Sequence, residues 1–68
     1  MPDLTMRIST IPIRSNFKAE VTMYEIRIGS KTVGYKIYDY LYDEFMDFGA
    51  DQREEAIKTF EQMETRKV

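Results

Sequence analysis

Apolar and β-branched residues alternate with polar residues in three segments of the chain, residues 4–13, 19–28 and 33–38. A period of two is typical of β-strands that bury one face. The segment Gly29–Thr32 reads as a short turn and the segment Arg14–Lys18 as a loop, so consecutive strands can pair antiparallel. The pattern therefore predicts a three-stranded antiparallel meander.

The pairing register follows from the requirement that the apolar side chains share one face, because a slip of one residue would move them to the other face. We expect that face to collect nine large apolar or aromatic side chains through the pairs Leu4–Ile28, Met6–Ile26, Ile8–Tyr24, Ile28–Val33, Ile26–Tyr35 and Tyr24–Ile37. On the opposite face, Arg7, Glu25 and Lys36 would form a row of alternating charge across the strands.

The apolar alternation changes parity near the tip of the first hairpin, in both strands at the same level. There the apolar residues are Ile11 and Ile13 in the first strand and Ala19, Val21 and Met23 in the second. A pair of bulges, or a bend around Ser9 and Thr10, would aim them at the same core. Alternatively, the tip associates with another copy or another protein. The candidate self-association surface is Ile11, Ile13, Phe17, Val21 and Met23.

Residues 39–48 interleave aromatic and acidic side chains at a spacing that separates on a helix. At 100° per residue, Leu41, Phe45 and Phe48 fall on one stripe with Ile37, whereas Asp39, Asp43 and Asp47 fall on another. We expect a helix with Asp39 as its N-cap, ending at Gly49.

A second helix is predicted from Asp51 to about Thr65. Asp51 and Glu54 have the spacing of a capping box, and Ala56, Ile57, Phe60 and Met63 form an apolar stripe. The expected fold class is α+β: a three-stranded antiparallel meander followed by two helices packed on one face (β-β-β-α-α), in a single small domain over residues 1–68.

The 68-residue chain contains neither cysteine nor histidine. The usual zinc ligands, the usual general base and any disulfide framework are therefore missing, and we expect a protein that is not an enzyme and holds no cofactor or metal. Carboxylates along one helix face would diverge rather than close around a cation. The sequence has no apolar run of membrane-spanning length, so we expect no membrane contact and a location in the bacterial or host-cell cytoplasm.

Charge is distributed unevenly. Residues 1–37 carry six Lys/Arg against three acids, whereas residues 38–68 carry nine acids against four Lys/Arg. Residues 39–55 alone hold seven acids and one base. Spaced carboxylates can imitate the phosphates of DNA, and tyrosines can anchor a protein interface. The candidate partner-binding residues are Asp39, Tyr40, Tyr42, Asp43, Glu44, Asp47, Asp51, Glu54 and Glu55.

The predicted partner is a protein with a basic, nucleic-acid-binding groove, which this domain would inhibit or regulate. A plain solvated helix face remains an equally simple interpretation of the same acids. The alternative function is that of a small nucleic-acid-binding accessory protein. It would use the outer sheet face, where Arg7, Arg27 and Lys36 lie near Tyr38, although the pI near 5.0 disfavours strong binding.

In general character the chain resembles the small acidic inhibitor proteins of bacteriophages, anti-CRISPR proteins among them. The likeness consists of a very short domain without cysteine or histidine, a small sheet with helices, and the acidic–tyrosine segment from Tyr38 to Asp47. It is a resemblance of type and implies a non-catalytic inhibitor of a host-defence protein. No individual site residue can be carried over from it.

Overall fold

The computed structural model describes residues 7–66. Four strands form one antiparallel sheet in chain order: β1 (Ile8–Asn16), β2 (Val21–Ile28), β3 (Lys31–Asp39) and β4 (Glu44–Gly49). A 3-10 turn (Ala50–Gln52) then leads into helix α1 (Arg53–Glu64), which packs on one face of the sheet. The α+β class is confirmed, but the β-β-β-α-α order is wrong because the sheet has a fourth strand and the described residues contain one α-helix.

The predicted helix over residues 39–48 is a turn followed by β4. β4 pairs with β3 so that Phe48 lies opposite Tyr35, Met46 opposite Ile37, and Phe45 opposite Tyr38. Aromatic side chains favour strands, and aspartates repeated at every fourth residue repel one another on a helix. The helical reading was also possible because apolar positions in this short segment fit both periods.

The predicted capping role of Asp39 occurs in a different setting. Its Oδ1 accepts hydrogen bonds from the backbone N–H groups of Leu41 at 3.0 Å and Tyr42 at 3.4 Å. An aspartate that bonds the backbone two and three residues later can begin a helix or a turn. Here the bonded segment turns back into β4 instead of continuing as a helix.

The strand register differs from the predicted one. Ile8 pairs with Ile28 rather than Tyr24, while Leu4 and Met6 lie outside the described residues. Between β2 and β3, Met23 faces Ile37 and Glu25 faces Tyr35, so the predicted pairs Tyr24–Ile37 and Ile26–Tyr35 are wrong. As a result, Tyr24 and Ile26 lie on the face that α1 leaves open.

The core lies between α1 and the other face of the sheet. Among residues 7–66, seven hydrophobic side chains are buried there, with Phe48, Ile57 and Met63 packed against them: Ala19, Val21, Met23, Tyr35, Ile37, Ala56 and Phe60. The predicted apolar stripe of the second helix is thereby confirmed. The helix selects the face on which β2 and β3 both present large apolar groups, and this selection fixes the parity that the alternation in β2 left ambiguous.

A register shift between Pro12 and Arg14 lies at the change of parity in β1. β2 runs without a shift from Val21 to Ile26 and instead carries apolar residues on both faces; its own shift relative to β3 comes later, between Ile26 and Arg27. The predicted alternatives within the domain were a pair of bulges or a bend around Ser9 and Thr10. The irregularity in β1 lies beside Pro12, whose missing N–H suits such a position in an edge strand. Val21 and Met23 are fully buried in the domain's own core, so their place on a self-association surface is wrong. Ile13 and Phe17 are exposed, Ile11 is partly exposed, and self-association through them stays a prediction.

The start of α1 also differs in detail. The N–H of Gly49 donates to the side-chain oxygen of Gln52 at 2.8 Å, in place of the predicted capping box between Asp51 and Glu54. After α1, the guanidinium of Arg66 reaches back to the sheet. It donates to both carboxylate oxygens of Asp39, at 2.8 and 2.7 Å, and to the carbonyl of Ala19. This residue ties the end of the helix to the ends of β2 and β3.

Candidate protein-interaction surface

The turn between β3 and β4, residues 40–43, is held from three sides. The Asp39 carboxylate accepts hydrogen bonds from the backbone N–H groups of Leu41 and Tyr42 in the turn. The N–H of Tyr40 donates to the carbonyl of Glu20 at 2.8 Å. Asp43 has a φ of 53°, in the left-handed region that aspartate tolerates better than most residues. The turn therefore presents its side chains from a fixed backbone.

Asp39 differs from the other acids of the predicted site. It is buried, and the adjacent Arg66 guanidinium, assisted by the backbone N–H groups of Tyr42 and Leu41, holds the pKa of its carboxyl below the usual value. Its charge is satisfied inside the domain. The predicted row of Asp39, Asp43 and Asp47 on one helix face is wrong, and only the latter two are exposed.

Three tyrosines form a connected group on the open sheet face. The rings of Tyr38 and Tyr40 lie 4.5 Å apart between centroids, and the hydroxyls of Tyr24 and Tyr40 are 2.5 Å apart. The Tyr38 hydroxyl donates to Asp43 Oδ1, and this bond is the main cause of a raised Tyr38 pKa. The hydrogen bond to Tyr40, with partial burial, raises the pKa of Tyr24 to about 12. The hydroxyls of Tyr24 and Tyr38 therefore remain neutral near pH 7.

Edge strand β4 continues this aromatic surface. Phe45 is 54% exposed on the open face, with the Lys36 ammonium 4.4 Å from its ring centroid. The same ammonium lies 3.8 Å from the carboxylate of Asp47. The contact between Lys36 and Asp47 is an exposed pair of small energetic weight.

The acids follow the edge of the sheet. Asp43 lies in the turn, Glu44 begins β4, Asp47 is within it, and Asp51, Glu54 and Glu55 follow in the 3-10 turn and the first turn of α1. All six are exposed. Within residues 7–66, Glu44, Asp51, Glu54 and Glu55 form no salt bridge. The negative charge of this edge is therefore mostly uncompensated by the domain's own described cations.

Part of the β4 backbone is also unpaired. The Gly49 N–H bonds Gln52, so Gly49 and its partner Gly34 form a non-hydrogen-bonded pair. Because such pairs alternate along an antiparallel ladder, Phe45 and Asp47 also direct their N–H and C=O groups away from β3. Among the described residues, no strand or side chain takes up these four groups.

A groove runs beside the same edge on the helix side. It has a volume of about 460 Å³ and is lined by Asp39, Asp43, Glu44, Phe45, Met46 and Met63. Of these, Met46 directs an apolar side chain to the helix side of β4. Methionine side chains adapt to different neighbours. The groove can accept an aliphatic side chain that carries a cation at its end.

Sequence reasoning missed Phe45, Met46 and Tyr38 as members of this surface. The helical interpretation placed Phe45 towards the core, whereas the strand turns it to the open face and turns Met46 to the helix side. Glu44, Phe45, Met46 and Asp47 read polar–apolar–apolar–polar, a pattern without the period of two that identifies a strand. Tyr40 and Tyr42 were among the predicted partner-binding residues, and their side chains are exposed by 51% and 66%.

The predicted basic outer face is wrong. Arg27 shares the helix side of the sheet with Glu25, to which it forms a salt bridge at 3.2 Å. The Thr32 hydroxyl also donates to Glu25, and these two partners lower the pKa of its carboxyl. Lys36 does lie on the open face beside Tyr38, but between an aromatic ring and an acid.

Chemically, the surface offers hydroxyls, carboxylates and aromatic rings. No group of three or more acidic side chains within residues 7–66 converges closely enough to hold a metal ion. In the same range, no helix has the length and apolar character needed to cross a membrane.

No family model matches the chain, and no curated protein or solved structure does either.

Proposed function

We propose that this protein is a non-enzymatic inhibitor or regulator, of the phage anti-defence type that it resembles, and that it binds a basic surface of another protein. The favoured partner is a nucleic-acid-handling protein whose basic groove would be occupied. The observation that carries the proposal is the edge formed by the 40–43 turn and β4, where exposed acids alternate with exposed aromatic rings. We refer to residues 40–47 as the acidic–aromatic edge.

The charge of this edge supports a basic partner. Asp43, Glu44 and Asp47 lie within one turn and the first part of one strand, and the only described cation in salt-bridge contact with any of them is Lys36. Asp51, Glu54 and Glu55, in the segment that directly follows β4, are also exposed and add to the negative charge of this part of the chain. Such fields accelerate association with an oppositely charged protein and lose strength as salt is added.

The aromatic residues support a protein interface. Tyr40 and Tyr42 expose large, rigid side chains with few rotatable bonds, which lose little entropy on binding. Tyr40 is already oriented by its contacts with Tyr38 and Tyr24, so part of the surface is organised before any partner arrives.

The test compares two charge reversals of equal size. Asp47→Lys changes the acidic–aromatic edge, whereas Glu61→Lys changes an exposed acid near Arg14 of β1, at the other edge of the sheet. Protein captured from host lysate on the parent domain is identified, purified and titrated against both variants at two salt concentrations. We expect a basic nucleic-acid-handling protein whose affinity falls at least tenfold with Asp47→Lys and stays close to the parent value with Glu61→Lys.

Asp47 is preferred to Asp43 because the left-handed backbone at Asp43 would strain a lysine there. Equal affinity of the two variants would exclude the acidic–aromatic edge as the binding site. Direct binding of a labelled single-stranded oligonucleotide at low salt, abolished by Lys36→Glu, would instead favour the nucleic-acid-binding alternative.

A further inference from the structure

We propose that the partner binds by adding an extended strand to the edge of β4, and that this strand reads basic–aliphatic–aliphatic–basic. The inference rests on the function proposed above and names the form of the partner segment. It combines three features of one edge: unpaired backbone groups, a fixed sequence of side chains, and the adjacent methionine groove.

The backbone groups come first. Phe45 and Asp47 each direct one N–H and one C=O out of the sheet, as argued from the Gly49–Gln52 bond. An incoming antiparallel strand would form a hydrogen-bonded pair opposite each of these residues, giving four new bonds. Edge strands in proteins are usually protected by bulges, prolines or covering segments, because unpaired edges recruit other chains.

The protection expected of such an edge is weak in β4. The pairing with β3 runs without a register shift from Glu44 to Gly49, so no bulge interrupts it. The other edge strand, β1, contains Pro12 and a register shift beside it. Of the two edges, β4 is therefore the regular one, and it is protected mainly by its charge.

The side chains of β4 specify the incoming sequence. Asp47 and Phe45 point to the open face, whereas Met46 and Glu44 point to the helix side. Cross-strand neighbours prefer opposite charge or shared apolar character. Opposite Asp47, Met46, Phe45 and Glu44 in turn, the best matches are a basic residue, two aliphatic residues and a second basic residue. This pattern is the same in both chain directions.

The groove adds a preference on the helix side. An aliphatic residue opposite Met46 would lie against Met46 and Met63, and a lysine or arginine opposite Glu44 would place its stem along the groove and its charge near the acids that line it. A second copy of this chain is a poorer occupant, because β4 carries Glu44 and Asp47 and no basic residue, so pairing two β4 edges would leave these acids of both copies without a cation in the opposite strand.

The test uses the parent protein, labelled with ¹⁵N, and a six-residue peptide Thr-Lys-Val-Val-Arg-Thr with blocked ends. Two isomers of this peptide carry the same two N-methyl groups at different places. In one isomer, the methylated residues are Lys, which would lie opposite Asp47, and the second Val, which would lie opposite Phe45. The N–H groups of these two residues would otherwise donate to β4. In the other isomer, the methylated residues are the first Val and Arg, whose N–H groups would point away from β4.

We expect the unmodified peptide to shift the amide resonances of residues 44–49 in a saturable titration. The isomer methylated on the inward N–H groups should bind at least about tenfold more weakly, because each lost hydrogen bond weakens binding several-fold. The isomer methylated on the outward N–H groups should bind like the unmodified peptide. Equal binding of the two isomers would overturn strand addition while leaving the acidic–aromatic edge as a binding surface.

Two further controls separate charge and occupant. A Thr-Glu-Val-Val-Glu-Thr peptide should not bind, and binding as tight as that of the basic peptide would overturn the proposed sequence. On the protein, Asp47→Pro removes an outward N–H and a carboxylate, whereas Asp47→Ala removes the carboxylate alone. The amide spectra of both variants verify that they fold, and we expect Asp47→Pro to bind the basic peptide more weakly than Asp47→Ala does. A parent protein that is dimeric by light scattering, and monomeric as Asp47→Pro but not as Asp47→Ala, would show that the occupant is a second copy and overturn the proposal.

Discussion

The two faces of the sheet contain similar residues and treat them differently. On the helix side, Phe60 and Tyr35 are buried among aliphatic side chains, and the carboxylate of Asp39 is enclosed by a guanidinium and two N–H groups. On the open side, Phe45 and Tyr40 are about half exposed, and Asp47 reaches one exposed lysine. The comparison indicates that one face stabilises the fold, whereas the other is available for contact with a second molecule.

The largest expected effect comes from truncating one phenylalanine on each face. Phe60→Ala would leave a cavity in the buried cluster that also contains Met23 and Ile37 and cost about 3–5 kcal/mol, a large part of the stability of a domain this size. Phe45→Ala, on the open face, should cost less than about 1 kcal/mol. Urea unfolding followed by circular dichroism measures both. Similar losses from the two variants would mean that the open face also contributes a core.

Gly34→Ala addresses the attachment of β4 to the rest of the sheet. A Cβ at this position would lie 2.6 Å from the backbone oxygen of Phe48, and a backbone atom cannot move aside without shifting the strand. We expect a loss of about 1–3 kcal/mol, the usual range for overpacking. Amide hydrogen exchange should accelerate more in β4 than in β2, and uniform acceleration would contradict a local effect.

Arg66→Ala should have a smaller effect that depends on pH. Because Arg66 lowers the pKa of Asp39 in the folded state, the pair stabilises the fold above the unfolded pKa of about 3.9, and this contribution disappears as pH falls through the lower folded value. The parent should therefore be more stable than the variant at pH 7, and the two should converge towards pH 2. Thermal unfolding across this range measures the difference, in which the common contribution of Glu25 cancels.

The smallest effect is a change of titration rather than of stability. Tyr40→Phe removes the hydroxyl that bonds Tyr24, so the pKa of Tyr24 should fall from about 12 towards its ordinary value near 10. Ultraviolet absorbance of tyrosinate, compared between the parent and the variant, reports the shift. Tyr42→Phe is the matched control, since its hydroxyl has no partner among the described residues. A Tyr24 pKa unaffected by Tyr40→Phe would show that the pair of hydroxyls does not form.

Sequence reasoning predicted the α+β class, a meander, and the helix with its buried Ala56 and Phe60. These features were accessible because they depend on local alternation, short connections and a long helical period. The face that becomes the core was not accessible, since β2 carries apolar residues on both sides: Val21 and Met23 on one, Tyr24 and Ile26 on the other. Only the position of α1 distinguishes them.

The interaction surface was identified by its acids and tyrosines but given the wrong shape. At residues 39–48, the helical and strand periods both arrange apolar residues acceptably, and the deciding contribution is pairing with β3, a tertiary contact. The ion pair between Asp39 and Arg66 could not be predicted from the sequence either, because the two residues are far apart along the chain. The carboxylates at 43, 44 and 47 remain exposed in either shape.

The chain-order topology of the sheet has a consequence for how the protein folds. Every strand pairs with its immediate neighbours along the chain, through connections as short as Gly29 and Ser30. Closing such short loops costs little entropy, and proteins dominated by local pairing reach their transition states quickly. The contacts with the largest separation along the chain belong to α1 and Arg66, and we expect these to form after the meander. We therefore expect mutations in the β2–β3 hairpin to slow folding, and the loss of Arg66 mainly to accelerate unfolding.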